Sequence, residues 1–299
     1  MKILVCDPIS EKAIEQMKAQ GNEVVNKPDI TPEELSREIP EYETIIVRSR
    51  TKVRKPLLEK AENLKVIIRG GVGIDNIDHQ DAKEMGIDVR NTPAASSASV
   101  AELAIGHMFS LARYIPRGTA SLKSGEWIKK KLKGTELAGK TLGIVGIGKI
   151  GKKTAEKTKA LGMDVIAYDP YIKDTDIEGV TLVDFDELLE KADYVTLHLP
   201  HNDETHYLFS TEQFEKMKDS AYLVNCARGG IVDENALYEA LSNNKIAGAA
   251  MDVFETEPPK DSKLVSLENF FCTPHIGAST KEAQARVGDE IVKITKEYI

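Results

Sequence analysis

Short apolar runs alternating with capped or amphipathic segments along almost the whole chain restrict its fold more than any other feature. Apolar runs of this length that are buried on both faces belong in parallel sheets, and the segments between them then serve as crossover helices. In the first third such runs stand at residues 3–6, 23–25, 44–47, 66–68 and 88–89. From residue 141 they recur at 141–146, 164–168, 193–199, 221–227, 247–253 and 269–273. The expectation is an α/β fold with two doubly wound parallel sheets. The stretch TPEE at 31–34 offers Thr31 as a cap, Pro32 as first helical residue and Glu34 to reach back, a complete helix start. SVAE at 99–102 repeats the device with Ser99 and Glu102, and predicts the start of a long helix through Leu103, Ile105, Met108, Leu111 and Ala112.

The second series of runs opens with TLGIVGIGKIG, where Gly146, Gly148 and Gly151 stand directly after an apolar strand and before a helical stretch. Small residues at this spacing let the chain turn sharply, let a pyrophosphate approach the backbone and let helix pack on strand. The helix start then offers N–H groups to phosphate oxygens. The next run ends in Asp169, expected to accept hydrogen bonds from adenosine ribose hydroxyls. A carboxylate there repels a 2′-phosphate and no arginine closely follows, so the expected cofactor is NAD, on a Rossmann sheet of six strands.

Net charge of −8 and a pI near 5.4 disfavour nonspecific binding to phosphate backbones, so no nucleic-acid partner is expected. The opening MKILVCDP is too short for a signal peptide and no run approaches a membrane span. The expectation is a cytoplasmic protein with no membrane partner. Cys6, Cys226 and Cys272 lie in or at the ends of apolar runs with no CxxC and no ligand spacing. They read as reduced core residues, and no metal is expected; His198, His201 and His206 likewise show no metal-site spacing.

Arg228 in NCARGGIVDE, Glu257 in DVFETEPP and His275 in CTPHIGAST follow successive strand ends, which a parallel sheet brings to one edge. Hydride transfer to or from a carbonyl needs a cation to hold and polarise the substrate and a proton donor or acceptor beside the reacting oxygen. The planar fork of Arg228 matches a carboxylate. His275 can exchange a proton, and Glu257 beside it would favour the imidazolium.

The segments GGVGIDNID, NTPAASSASVAEL, GTELAGKTLGIVGIGKIG, YDP, VNCARGGIVDE, AGAAMDVFETEPP and TPHIGASTKEAQ together make the chain similar, nearly end to end, to the D-isomer-specific 2-hydroxyacid dehydrogenases. The resemblance implies that Arg228, Glu257 and His275 are the catalytic set, with Glu257 rather than Glu255 because the family's Glu directly precedes Pro. It implies cofactor contacts at Gly146, Gly148, Lys149, Ile150, Gly151, Asp169, Leu199, Cys226, Ala227, Arg228, Asp252, His275 and Gly277. It also implies a flavodoxin-like substrate domain over residues 1–96, completed by a helix in 273–299, and a Rossmann domain over 97–272. Longer members carry further C-terminal domains that include a serine-sensing module. A short form without them is expected to escape feedback inhibition by serine.

A phosphorylated 2-hydroxy or 2-oxo acid has two anionic ends and needs cations beyond Arg228. Arg48 and Arg50, two apart on a strand end, and Arg69 are expected to supply them with Thr51 as a hydroxyl donor, while Gly71, Val72 and Gly73 are expected to expose backbone N–H groups to the substrate carboxylate. The same catalytic residues without a phosphate subsite would make a reductase of hydroxypyruvate or glyoxylate, and an NADH-sensing scaffold would lack turnover. The long helix from Ser99 is expected to meet its twin in a homodimer. Trp127 could anchor an interface or simply pack, and the KKKLK run at 129–133 could extend a basic rim or remain a solvated face.

Overall fold

A computed structural model describes residues 1–299, which divide into two compact units, Met1–Ser97 with Ala278–Ile299, and Ala98–Gly277. In the first unit, β1 (Lys2–Val5), β2 (Glu23–Asn26), β3 (Thr44–Val47), β4 (Val66–Arg69) and β5 (Asp88–Asn91) form a parallel sheet in the order β2-β1-β3-β4-β5. Alternate residues go to opposite faces. Leu4, Ile45, Val47 and Ile67 enter one core, and Ile3, Val5, Ile46, Val66 and Ile68 enter the other. Each fully buried Ile or Leu contributes about 2 kcal/mol. The closing helix Lys281–Lys296, capped by Thr280, sends Val287 and Ile291 into the second of these cores, and a Cβ at Gly288 would lie 2.5 Å from Ser10 Oγ.

In the second unit, β6 (Thr141–Val145), β7 (Asp164–Tyr168), β8 (Val180–Leu182), β9 (Tyr194–Leu197), β10 (Tyr222–Asn225), β11 (Gly248–Met251) and β12 (Phe270–Cys272) form a 7-stranded parallel sheet. Its order is β12-β11-β10-β9-β6-β7-β8, and it reverses between β6 and β9, the position where such sheets hold nucleotides. Six strands were expected. The additional one, β8, is a three-residue edge strand of which only Val180 is buried.

Two local expectations also shift. The Thr31 capping box forms as expected, with both reciprocal hydrogen bonds present. The long helix, however, runs Ser97–Arg113, so Ser99 lies inside it and not at its cap. Cys6 and Cys226 are buried free thiols, but Cys272 is exposed on the short last strand. No helix is long and apolar enough to cross a membrane.

Candidate active site

The chain leaves β6 at Val145 and turns at Gly146 with φ of 94°, a region side chains rarely adopt. A Cβ there would lie 2.6 Å from the His198 carbonyl oxygen, and one at Gly151 would lie 2.2 Å from the Gly146 carbonyl oxygen. These two glycines are required by packing. Gly148 is different: a Cβ would meet nothing within 4 Å. A glycine that the protein's own packing does not need leaves room for a phosphate to approach the backbone. Gly148 caps the helix Lys149–Ala160 without a side-chain hydrogen bond, so no side chain competes for the N–H groups of that helix start. Asp169 is held beside the turn, accepting from Ile147 N at 3.1 Å and Tyr171 N at 3.0 Å. The residues fit a dinucleotide.

His198, at the same switch point, touches Thr154 Oγ1 and Thr196 Oγ1 through Nε2, both at 3.2 Å, while its Nδ1 is buried without a partner. Burial pushes this imidazole down to about 3, so it is neutral at physiological pH although an edge of the residue remains exposed. Leu199 packs against the core from the end of β9. His201 and His206 meet at 3.1 Å, and His206 stacks on Tyr207 at 4.0 Å.

Asn225, fully buried at the end of β10, shapes the turn that carries Arg228. Its Oδ1 accepts from Ala227 N at 3.0 Å and its Nδ2 donates to Arg228 O at 2.9 Å. Cys226 and Ala227 are buried within this turn. A Cβ at Gly229 would lie 1.9 Å from Phe254 O, so the Arg228 turn rests directly on the loop that carries Glu257. Glu257 Oε1 accepts from Phe254 N at 3.1 Å, and its Oε2 meets His275 Nδ1 at 2.8 Å. Partial burial opposes ionisation of Glu257, but the hydrogen bond and charge of His275, the Phe254 N–H and the Arg228 guanidinium together hold its carboxyl below the usual range. A carboxylate only accepts, so His275 carries its hydrogen on Nδ1 and leaves Nε2 for proton exchange. Glu257, not Glu255, is the carboxylate that stands beside His275. Glu255 instead exchanges backbone-to-carboxylate hydrogen bonds with Glu234, at 2.7 and 3.2 Å.

His275 has φ of 52°, a left-handed conformation uncommon for a residue with a side chain, and something must hold it there. Asp252 does so. It is 1 % exposed and accepts from Thr273 Oγ1 at 2.5 Å and from Ile276 N and Gly277 N, each at 2.8 Å. Its carbonyl also accepts from His275 N at 2.8 Å. With both carboxylate oxygens engaged and almost no exposure, Asp252 clasps the His275 loop.

Within the first unit, Arg48 Nη1 donates to Gln284 Oε1 at 2.7 Å and Pro8 O at 3.3 Å, and its Nε is buried without an acceptor. Burial lowers its affinity for its proton. Arg50 overturns an expectation. Its Nε donates to Asp7 Oδ1 at 2.9 Å, Nη1 to Ile30 O at 3.2 Å, and Nη2 to Cys6 O at 2.5 Å and Pro28 O at 2.6 Å. The chain leaves extended geometry after Val47, so spacing by two does not put Arg48 and Arg50 to the same use. Gly71 departs in a similar way: its N–H is donated to Arg69 O at 2.9 Å rather than held out to a ligand. Glycine is favoured there because φ is 148°, a conformation side chains rarely adopt. Val72 and Gly73 are half-buried.

Over residues 105–277 the chain matches the model of the NAD binding domain of D-isomer specific 2-hydroxyacid dehydrogenases. The chain belongs to that family. Among its relatives, the D-3-phosphoglycerate dehydrogenase of Methanocaldococcus jannaschii is 51% identical over 302 residues, covering 100% of this chain and 57% of that protein. The hydroxypyruvate reductase of Thermotoga maritima is 49% identical over 300 residues, covering 99% of this chain and 98% of that protein. The crystal structure of D-lactate dehydrogenase from Aquifex aeolicus, complexed with NAD and lactic acid, superposes with a TM-score of 0.86 at 31% identity, covering 100% and 95% of the two chains. This chain thus spans little more than half the length of the archaeal relative. NAD is the cofactor of the second unit in this dehydrogenase family.

Several supporting residues escape a reading of motifs. Asp7, Asn225 and Thr273 act on backbone or side chains brought close by strand pairing, and their only signal in the sequence is a polar residue at the end of an apolar run. His107, buried on the long helix with its ionisation suppressed by burial, meets Thr273 Oγ1 at 3.1 Å and is invisible inside an apolar helical pattern.

Proposed function

We propose that this chain catalyses the NAD-dependent interconversion of 3-phospho-D-glycerate and 3-phosphohydroxypyruvate, the first step of L-serine biosynthesis. The observation that carries the oxidoreductase reading is the His275–Glu257 pair at 2.8 Å with the Arg228 charge beside it. Bound NAD would supply the acceptor or donor of hydride. Gly146, Gly148, Lys149, Ile150 and Gly151 would hold its pyrophosphate, Asp169 its adenosine ribose, and Leu199, Cys226, Ala227 and Gly277 the remainder. Arg228 holds the substrate carboxylate in its fork. His275 takes the proton of the 2-hydroxyl on Nε2 during oxidation and returns it during reduction, while Glu257 fixes the ring and supports the imidazolium. Asp252 keeps the His275 loop in place.

For the phosphate end we assign Arg48 and Arg69, leaving Arg50 out. The buried Nε of Arg48 without an acceptor supports an anionic ligand there, as do the names of relatives at 51% and 50% identity. We also infer a cytoplasmic homodimer formed through the second unit. Ile115, Leu122 and Trp127 are 52%, 61% and 79% exposed around a cavity of about 580 Å³, and such a patch belongs against another surface. Trp127→Lys is expected to sediment as a monomer.

The test is NADH oxidation with 3-phosphohydroxypyruvate beside hydroxypyruvate, glyoxylate and pyruvate at matched concentrations. Preference for the phosphorylated acid, lost in Arg48→Ala with Arg69→Ala, is the expected result. Equal turnover of hydroxypyruvate, indifferent to those substitutions, would favour the second reading, a hydroxypyruvate reductase. That reading has its own support in a relative matched over 98% of its length.

A further inference from the structure

Within the first unit a cavity of about 360 Å³ opens between the helix Pro32–Glu38 and residues 50–60. Ile30, Leu35 and Leu57 give it an apolar wall. Arg50, Lys52, Arg54 and Lys60 also line it, and no carboxylate does. In a chain of net charge −8 this is a local excess of positive charge facing an apolar surface.

Two of the four cations are already compensated. Arg50 Nε pairs with Asp7 Oδ1 at 2.9 Å, and Arg54 Nη1 with Asp78 Oδ1 at 2.8 Å. The lysines are not. Lys60 Nζ donates to Ser36 Oγ at 2.7 Å, a neutral acceptor that leaves its charge unmatched, and exposed Lys52 has no carboxylate within ion-pair distance. Two uncompensated ammonium groups match a dianion. The cavity is larger than a bare phosphate needs, and its apolar wall calls for an apolar body on the ligand.

We propose that this cavity binds a phosphomonoester with an apolar body, the phosphate on Lys52 and Lys60 and the body against Ile30, Leu35 and Leu57. Neither lysine belongs to the residues assigned to catalysis or to the substrate, so the site is separable from them by mutation.

The experiment is calorimetric titration of the full chain with phenyl phosphate, alongside inorganic phosphate. Saturable binding of phenyl phosphate, tighter than that of inorganic phosphate, is expected. Affinity should fall by about tenfold or more in Lys52→Ala with Lys60→Ala, since each charge-assisted hydrogen bond is among the stronger ones. Leu57→Asp should abolish binding, whereas Arg48→Ala with Arg69→Ala should leave it intact and the lysine pair should leave turnover of 3-phosphohydroxypyruvate unchanged. Circular dichroism melts establish that each variant is folded. Absence of saturation at about 10 mM, unchanged affinity in the folded lysine variant, or loss of binding in the arginine variant would each overturn the proposal.

Discussion

Asp7 follows β1 and Asp252 follows β11, each 1 % exposed, and each grips the loop that leaves the adjacent parallel strand. Asp252 takes only neutral donors: the Thr273 hydroxyl and the backbone N–H groups of Ile276 and Gly277. Asp7 takes Arg48 N at 2.5 Å, Thr51 N at 3.2 Å and the cation of Arg50. A buried carboxylate has to be compensated by donors or by charge. In the second unit backbone and hydroxyl donors suffice, and the titratable side chain of the loop, His275, remains available for chemistry. In the first unit the compensation consumes an arginine. The difference teaches that a cation at a strand end cannot be assigned to a ligand before the buried carboxylate next to it has been served.

The largest expected effect tests the second loop. His275→Ala removes the proton carrier and should lower turnover by about a thousandfold, with NADH affinity by fluorescence titration near that of the parent chain. A variant running at the parent rate would refute the assignment of His275.

Replacing the two aspartates separates the two loops. Asp252→Asn sets an amide against N–H donors, loosens the loop and displaces His275. Its kcat should fall by up to about a hundredfold with little change in KM. Asp7→Asn leaves Arg50 poorly compensated and disturbs the backbone of Arg48, so KM for the phosphorylated acid should rise while kcat changes little. Both should cost about 1–3 kcal/mol in urea unfolding, because buried donors are left facing an amide that accepts on one atom only. Equal loss of kcat in both variants would erase the contrast between the loops.

A smaller effect comes from the partner of His275. The depressed ionisation of Glu257 means that its charge is stabilised in the folded protein, fully so above the ordinary carboxylate value near about 4.3 and lost only as pH falls through the depressed value. The pair is therefore intact across the neutral range. Glu257→Gln puts an amide that can turn its own N–H toward the ring where the carboxylate only accepts from His275 Nδ1, so kcat should fall by about tenfold with KM little changed. A kcat within about twofold of the parent value would make the pair dispensable to proton transfer.

Much of this was legible in sequence because the decisive constraints are local. Apolar runs located the strands except β8, three residues at an edge of which only Val180 is buried. The glycine turn was legible because Gly146 and Gly151 answer to backbone geometry a few residues away. That Arg228, Glu257 and His275 stand near one another was legible because parallel strands deliver their ends to one edge. The clasps were not, since Asp7 reaches Thr51 and Asp252 reaches Gly277 only through strand pairing, and a residue number does not reveal which donor stands opposite. For the same reason Arg50 looked like the twin of Arg48. Two residues apart means one face only while the chain remains extended, and β3 ends at Val47.

Arg50→Lys sharpens that last point at the smallest cost. Lysine keeps the charge that Asp7 requires but replaces a fork reaching Asp7, Ile30, Cys6 and Pro28 with a single ammonium. The side chain is 48% exposed, so the loss is damped by solvent and should amount to about 1 kcal/mol, a fall of roughly 2 °C in Tm. If Arg50 serves the backbone alone, KM for 3-phosphohydroxypyruvate should stay within about twofold of the parent value, because 1 kcal/mol spent on folding need not reach the ligand. A KM raised about tenfold with Tm unchanged would return Arg50 to the substrate and make Asp7 its positioner.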